Sequence, residues 1–120
     1  MRIKQASEVS GLSPDTIRYY EKEGILPTIA RDETGQRSFS KDNLNWMGLL
    51  QCLRQTGMPM RDMSRYAQLV HSEGNTIAER IEILKSHQVR LTEKRKELEK
   101  CEAIVSFKLG IYEQKGDLHS

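Results

Sequence analysis

The side chains whose types and spacing can do chemistry lie in one short run, Ser13-Pro14-Asp15-Thr16-Ile17-Arg18-Tyr19-Tyr20-Glu21-Lys22-Glu23-Gly24. If the run is helical, Thr16, Arg18, Tyr19 and Lys22 share a solvent face and Ile17 turns inward. Such a face suits the groove of a nucleic-acid duplex. The cations meet phosphates, and the paired phenols of Tyr19 and Tyr20 add hydrogen bonds and flat contact area. The same pattern also fits a surface helix with one aromatic in the core. The ends of the run carry the helical reading. Ser13 can accept the first free backbone N–H groups, and Pro14 stands where a missing N–H costs nothing. Asp15 places negative charge at the positive end of the dipole, and Gly24 can take the left-handed conformation that stops the helix.

Elsewhere the 120 residues offer no nucleophile–base cluster, phosphate loop or paired-ligand metal motif, so neither an enzyme nor a cofactor is expected. Cys101, His87 and His119 are too scattered for the converging ligands a soft-metal site needs. Cys52 and Cys101 stand far apart without a CxxC, as free thiols would in a reducing compartment. The 19 basic and 17 acidic side chains leave a net charge of +2, too small an excess to argue for nucleic acid without the placement of the charges. No apolar run approaches membrane-spanning length, and Met1-Arg2-Ile3-Lys4 lacks a signal-peptide core. A cytoplasmic protein without membrane contact is expected.

The neighbouring elements must position the Ser13–Gly24 run. Ile3 to Val9 has apolar residues at helical spacing, and Gly11 breaks it before Leu12 and Ser13. Two short helices around a tight turn predict a helix-turn-helix, with Pro14–Glu23 entering the groove. After Pro27, two extended runs flank Asp32-Glu33-Thr34-Gly35 and predict a β-hairpin wing with Arg31 and Arg37 near its two sides. Ser40 can cap a helix over Lys41–Gln55, where Leu44, Met47 or Trp46, Leu50 and Leu53 form a buried stripe. Gly57-Met58-Pro59 ends it, and a helix from about Met60 to Val70 follows. Lys41, Arg54 and Arg61 can add phosphate contacts. The expected organisation is a DNA-binding domain over 1–70, a hinge over 71–75, a long helix over 76–112 capped by Thr76 with Glu79, and a flexible tail over 113–120.

In the long helix, Ile77, Leu84, Leu91, Leu98, Val105 and Tyr112 fall on a strict seven-residue repeat. Ile81 and Leu109 hold the companion position at its ends, and Gln88, Arg95 and Glu102 hold it between them. This predicts a coiled-coil homodimer in which the polar middle fixes register.

The run Val9 to Pro27, with Asp-Thr-Ile-Arg-Tyr-Tyr-Glu followed by Gly-Ile-Leu-Pro, resembles the winged helix-turn-helix of the MerR family. Gly35-x-Arg37-x-Phe39, the two helices around Gly57-Met58-Pro59 and the long helix extend the resemblance over the chain. It implies a bacterial transcription regulator: an antiparallel-helix homodimer on a palindromic promoter duplex, distorting an overlong spacer so that RNA polymerase engages both promoter elements. It also implies DNA contacts from Arg18, Tyr19, Tyr20 and Arg37. Gln36 departs from the family's usual aromatic in the wing turn. The run Trp46 to Pro59 resembles the aldehyde- and electrophile-responsive subgroup, which carries a cysteine where Cys52 stands. That implies a reactive small-molecule inducer, with an adduct wedged into a packed junction beside the dimer helix. Read as a residue alone, Cys52 is equally a small buried hydrophobe. A DNA-binding architectural protein with the same winged module and no sensing is the competing function.

Overall fold

The computed structural model describes residues 1–119. Five helices follow one another: α1 (Ile3–Ser10), α2 (Pro14–Lys22), α3 (Lys41–Gln55), α4 (Met60–His71) and α5 (Ile77–His119). They form two units divided inside α5, one running from Met1 to Ile83 and the other from Leu84 onward.

In the first unit α1, α2, α3 and α4 close around Ala6, Leu12, Ile17, Tyr20, Met47, Leu50 and Met63, all at most 2% exposed. Gly11 joins α1 to α2 at φ +80°, and its N–H reaches Ser7 O at 2.9 Å. The turn needs glycine for this dihedral; a Cβ there would lie 3.2 Å from the Gln51 amide of α3, a side-chain end that can shift aside. Ser13 caps α2 as expected, accepting the Thr16 N–H at 3.1 Å, and Pro14 opens the helix. Beyond α2 the Tyr20 carbonyl accepts both the Ile25 and Leu26 N–H groups, which turns Ile25 and Leu26 into the core. Ser40 and Asn43 cap α3 reciprocally, at 3.1 and 2.9 Å.

The expected β-hairpin wing is absent among the described residues. Between α2 and α3 there is a single antiparallel bridge, Arg31 to Arg37. Around that bridge the Ser38 N–H donates to Ala30 O at 2.7 Å and the Asp32 N–H to Gln36 O at 2.8 Å. Beyond it the backbone is tied to other elements: the Ile29 N–H goes to the Glu21 carboxylate at 2.7 Å, and the Phe39 N–H to Met1 O at 2.7 Å. At the tip, Asp32 Oδ1 accepts from the Thr34 N–H, the Thr34 hydroxyl and the Gln36 N–H, so side-chain bonds shape the loop that strands were expected to shape.

The linker after α4 is gathered around one carbonyl. The Leu69 carbonyl accepts the Ser72 hydroxyl at 2.9 Å, the Thr76 hydroxyl at 2.6 Å and Arg80 Nη2–H at 3.2 Å. Arg80 Nε–H also donates to Thr76 Oγ1 at 2.8 Å. Thr76 is therefore used to hold α4, and Asn75 Oδ1 takes the Ile77 N–H. In the second unit α5 continues past Tyr112 to His119, so the helix occupies most of the stretch expected as a tail; Ser120, the end of that stretch, lies outside the described residues. Leu98, Val105, Leu109 and Tyr112 are more than half exposed in the single chain. Among the described residues no helix is long and apolar enough to cross a membrane.

Candidate nucleic-acid interface

Helix α2 separates its two tyrosines. Tyr19 is 49% exposed beside Arg18 and Lys22, whereas Tyr20 is 2% exposed and belongs to the core. Tyr20 therefore corrects the expectation of a solvent-facing pair: at one step along a helix from Tyr19, its ring follows Ile17 inward. Burial raises its pKa, against the lowering field of Arg54. Arg18 meets Asp15 at 3.1 Å in an exposed pair, a weak contact that a phosphate can replace.

Thr16 lies between helices. Its hydroxyl accepts the Ser13 hydroxyl at 2.8 Å and Arg54 Nη1–H at 3.5 Å. Arg54, in the last turn of α3, thus joins Thr16, Tyr19 and Tyr20 along a shallow groove completed by Met58, Met60 and Met63. No sequence spacing announced this meeting, because it joins positions 38 residues apart. Arg61 is exposed in the first turn of α4.

A second cationic patch surrounds the loop. Arg2, Arg31 and Arg37 border a recess with Gly35 and Gln36. Arg31 Nη1–H donates to Gly35 O at 2.9 Å, and Arg2 approaches Asp32 at 3.6 Å. Arg37 is held from behind: its Nε–H donates to Glu21 Oε1 at 2.7 Å, while Glu21 Oε2 takes the Ile29 N–H. Burial pushes the Glu21 carboxyl up, but the Ile29 N–H and the Arg37 and Arg31 guanidiniums outweigh it and hold its pKa below the usual value. Glu21 is the residue sequence reasoning missed. It ties α2 to the arginine-bearing loop, and its only signal was its place in the Tyr-Tyr-Glu run.

Cys52 is exposed on α3 in the single chain, which corrects the alternative reading of it as a small buried hydrophobe. It precedes Leu53, and Leu53 takes the inward position. Cys101 is exposed as well. Among the described residues no three His, Cys, Asp or Glu side chains are grouped to hold a metal ion.

Residues 1–70 match the MerR HTH family of regulatory proteins. This chain belongs to the MerR family. It is 36% identical over 110 residues to an HTH-type transcriptional regulator of Haemophilus influenzae, with 92% of this chain and 82% of that one covered. To the regulator AdhR of Bacillus subtilis it is 30% identical over 93 residues, 78% of this chain and 66% of that one. Among solved structures, HiNmlR, described as a MerR family regulator lacking the sensor domain and bound to promoter DNA, superimposes with a TM-score of 0.84. The two are 35% identical, with 99% of this chain and 94% of that one covered. These relatives are transcriptional regulators and not enzymes, and the likeness to HiNmlR and AdhR is consistent with the subgroup resemblance of the Trp46–Pro59 run.

Proposed function

We propose that this MerR-family regulator works as a homodimer on a palindromic promoter duplex and activates transcription by distorting the spacer for RNA polymerase. The observation that carries the reading is the likeness, over nearly the whole chain, to a relative crystallised on promoter DNA. The outward face of α2 agrees with it. Thr16, Arg18, Tyr19 and Lys22 face the duplex, Arg54 and Arg61 supply phosphate contacts beside them, and Arg31 and Arg37 grip the flanking backbone. Tyr20 supports this face from the core. A chromosomal target implies the cytoplasm. The homodimer is supported by the exposed row on α5: Ile77, Ile81, Leu84, Leu98, Val105, Leu109 and Tyr112 are all exposed in the single chain, and Leu91 is half-buried.

Cys52 is the proposed sensor of aldehydes and other electrophiles. Its thiolate adds to the carbonyl carbon, the C=O π bond breaks, and the oxygen takes a proton from water. Exposure gives the reagent access, and the effect is carried along the backbone rather than by a wedge. The Thr56 hydroxyl donates to the Cys52 carbonyl at 2.6 Å, and Arg54, two residues on, meets Thr16 of α2. An adduct that disturbs this last turn of α3 therefore acts on the groove. The competing architectural reading predicts the same DNA binding without a response. Steeply salt-dependent binding of a palindromic duplex tests the DNA reading. A promoter reporter tests sensing: the Cys52→Ser variant should bind DNA but lose induction by aldehyde, and full induction in that variant refutes the sensor.

A further inference from the structure

The chain has five methionines, and their exposures divide sharply. Met47, Met58 and Met63 are at most 5% exposed, Met1 is 44% exposed, and Met60 is 38% exposed. Met60 alone combines access to solvent with a place in the groove of Thr16, Tyr19 and Arg54. It opens α4 directly after Pro59, and no side chain caps that helix end.

We infer that Met60 is an oxidation site through which hydroperoxides weaken DNA binding, independently of Cys52. The inference rests on the reading of this groove as part of the DNA interface. The thioether sulfur attacks one peroxide oxygen; the O–O bond breaks and the S–O bond forms. Sulfur loses two electrons, the transferred oxygen gives its proton to the departing oxygen, and the peroxide leaves as water or an alcohol. The product replaces an apolar, flexible side chain with a polar one bearing a strong hydrogen-bond acceptor. The residues lining the groove that carry donors are Arg54, Thr16 and Tyr19, all assigned to the duplex, and the buried Tyr20. Each of the first three that the sulfoxide oxygen engages is withdrawn from a phosphate, and the oxygen itself faces the negative backbone. Methionine sulfoxide reductase reverses the step: two thiols become a disulfide and the oxygen leaves as water.

The test uses the full chain carrying Cys52→Ser and Cys101→Ser, so that thiol oxidation does not contribute, and a duplex enriched from a random pool by the unoxidised protein. After graded hydrogen peroxide, peptide mapping gives the oxygen at each methionine, and binding is compared with the same protein before treatment. The expected result is a loss of about tenfold in affinity, the size of one charge-assisted contact. The loss should track one oxygen on Met60 and not the oxygen on Met1, should be restored by the reductase, and should be absent when Met60→Leu is treated in the same way. Oxidation of Met60 without loss of affinity, or an equal loss in Met60→Leu, overturns the inference and leaves the interface intact. Failure of the unoxidised protein to enrich any duplex overturns the interface, and the inference with it.

Discussion

Replacing Glu21 by Gln tests whether the arginine-bearing loop is held to α2 by charge. The carboxylate makes two 2.7 Å hydrogen bonds, to Arg37 Nε–H and to the Ile29 N–H. Glu21 and Arg37 side chains are 13% and 21% exposed, so solvent screens the pair only in part. A glutamine keeps one acceptor, for either donor, and turns an amide N–H toward the other. The loss is then close to one charge-assisted bond plus a poorly paired donor, about 2 kcal/mol. In a unit of this size that lowers Tm by roughly 10 °C. Because the folded-state pKa of Glu21 lies below its ordinary value of 4.5, its stabilisation is present above that value and disappears as pH falls through the lowered one. The difference between wild type and Glu21→Gln in urea unfolding, at fixed protein concentration, should therefore be largest near neutrality and shrink on acidification below about pH 4.5. Adding Arg37→Gln should show coupling of about 1–2 kcal/mol in a double-mutant cycle. Equal stability of the two proteins at pH 7, or a gap that persists unchanged in acid, would refute the electrostatic account.

The exposed row on α5 predicts that Leu98→Glu combined with Leu109→Glu converts the dimer to monomer in sedimentation equilibrium, while the near-UV signal of Trp46 in the first unit is retained. A dimer that survives both charges would show that the seam lies elsewhere. Around the Leu69 carbonyl, Arg80→Gln removes the guanidinium that bonds both Leu69 O and Thr76 Oγ1. It should cost about 1 kcal/mol in urea unfolding, and Arg80→Lys should recover only part of it because one ammonium on a flexible stem lacks the fork geometry.

The helix order was legible because each helix carries its own local punctuation: Ser13 with Pro14, Ser40 before α3, and Gly57 with Pro59. Family membership was legible in the Asp15–Pro27 run for a related reason, since its residues specify one local structure and one exposed face together. The loop after α2 was misread because a turn signal says where a chain reverses, not which donors remain for a ladder. Glu21 and Met1, far off in sequence, hold the Ile29 and Phe39 N–H groups and so fix the two ends of the loop. Tyr20 was drawn outward by its likeness to Tyr19, although helical geometry separates neighbours by about 100° and core packing settles which one is buried. Arg54 could be named but not placed, because its contact with Thr16 exists only after α2 and α3 pack. Residue type alone suggests a buried cysteine at Cys52, yet the inward position in that turn belongs to Leu53.

The sequence of α5 also bears on how the two helices of the proposed dimer run. The row Ile77, Leu84, Leu91, Leu98, Val105, Tyr112 is symmetric about a point between Lys94 and Arg95. The companion row Ile81, Gln88, Arg95, Glu102, Leu109 is symmetric about Arg95, apolar at both ends and polar between. A parallel pair would set Glu102 against Glu102 and Arg95 against Arg95, two like-charge layers in the seam. An antiparallel pair instead sets each row against the other row of the partner. Centred midway between Leu91 and Arg95, it places Ile77 across from Leu109, Ile81 across from Val105, Leu84 across from Glu102 and Leu91 across from Arg95. No charged position then faces its own copy, and Arg95 keeps Glu99 of the same helix at 3.8 Å. The antiparallel arrangement thus removes both like-charge layers and matches apolar end to apolar end.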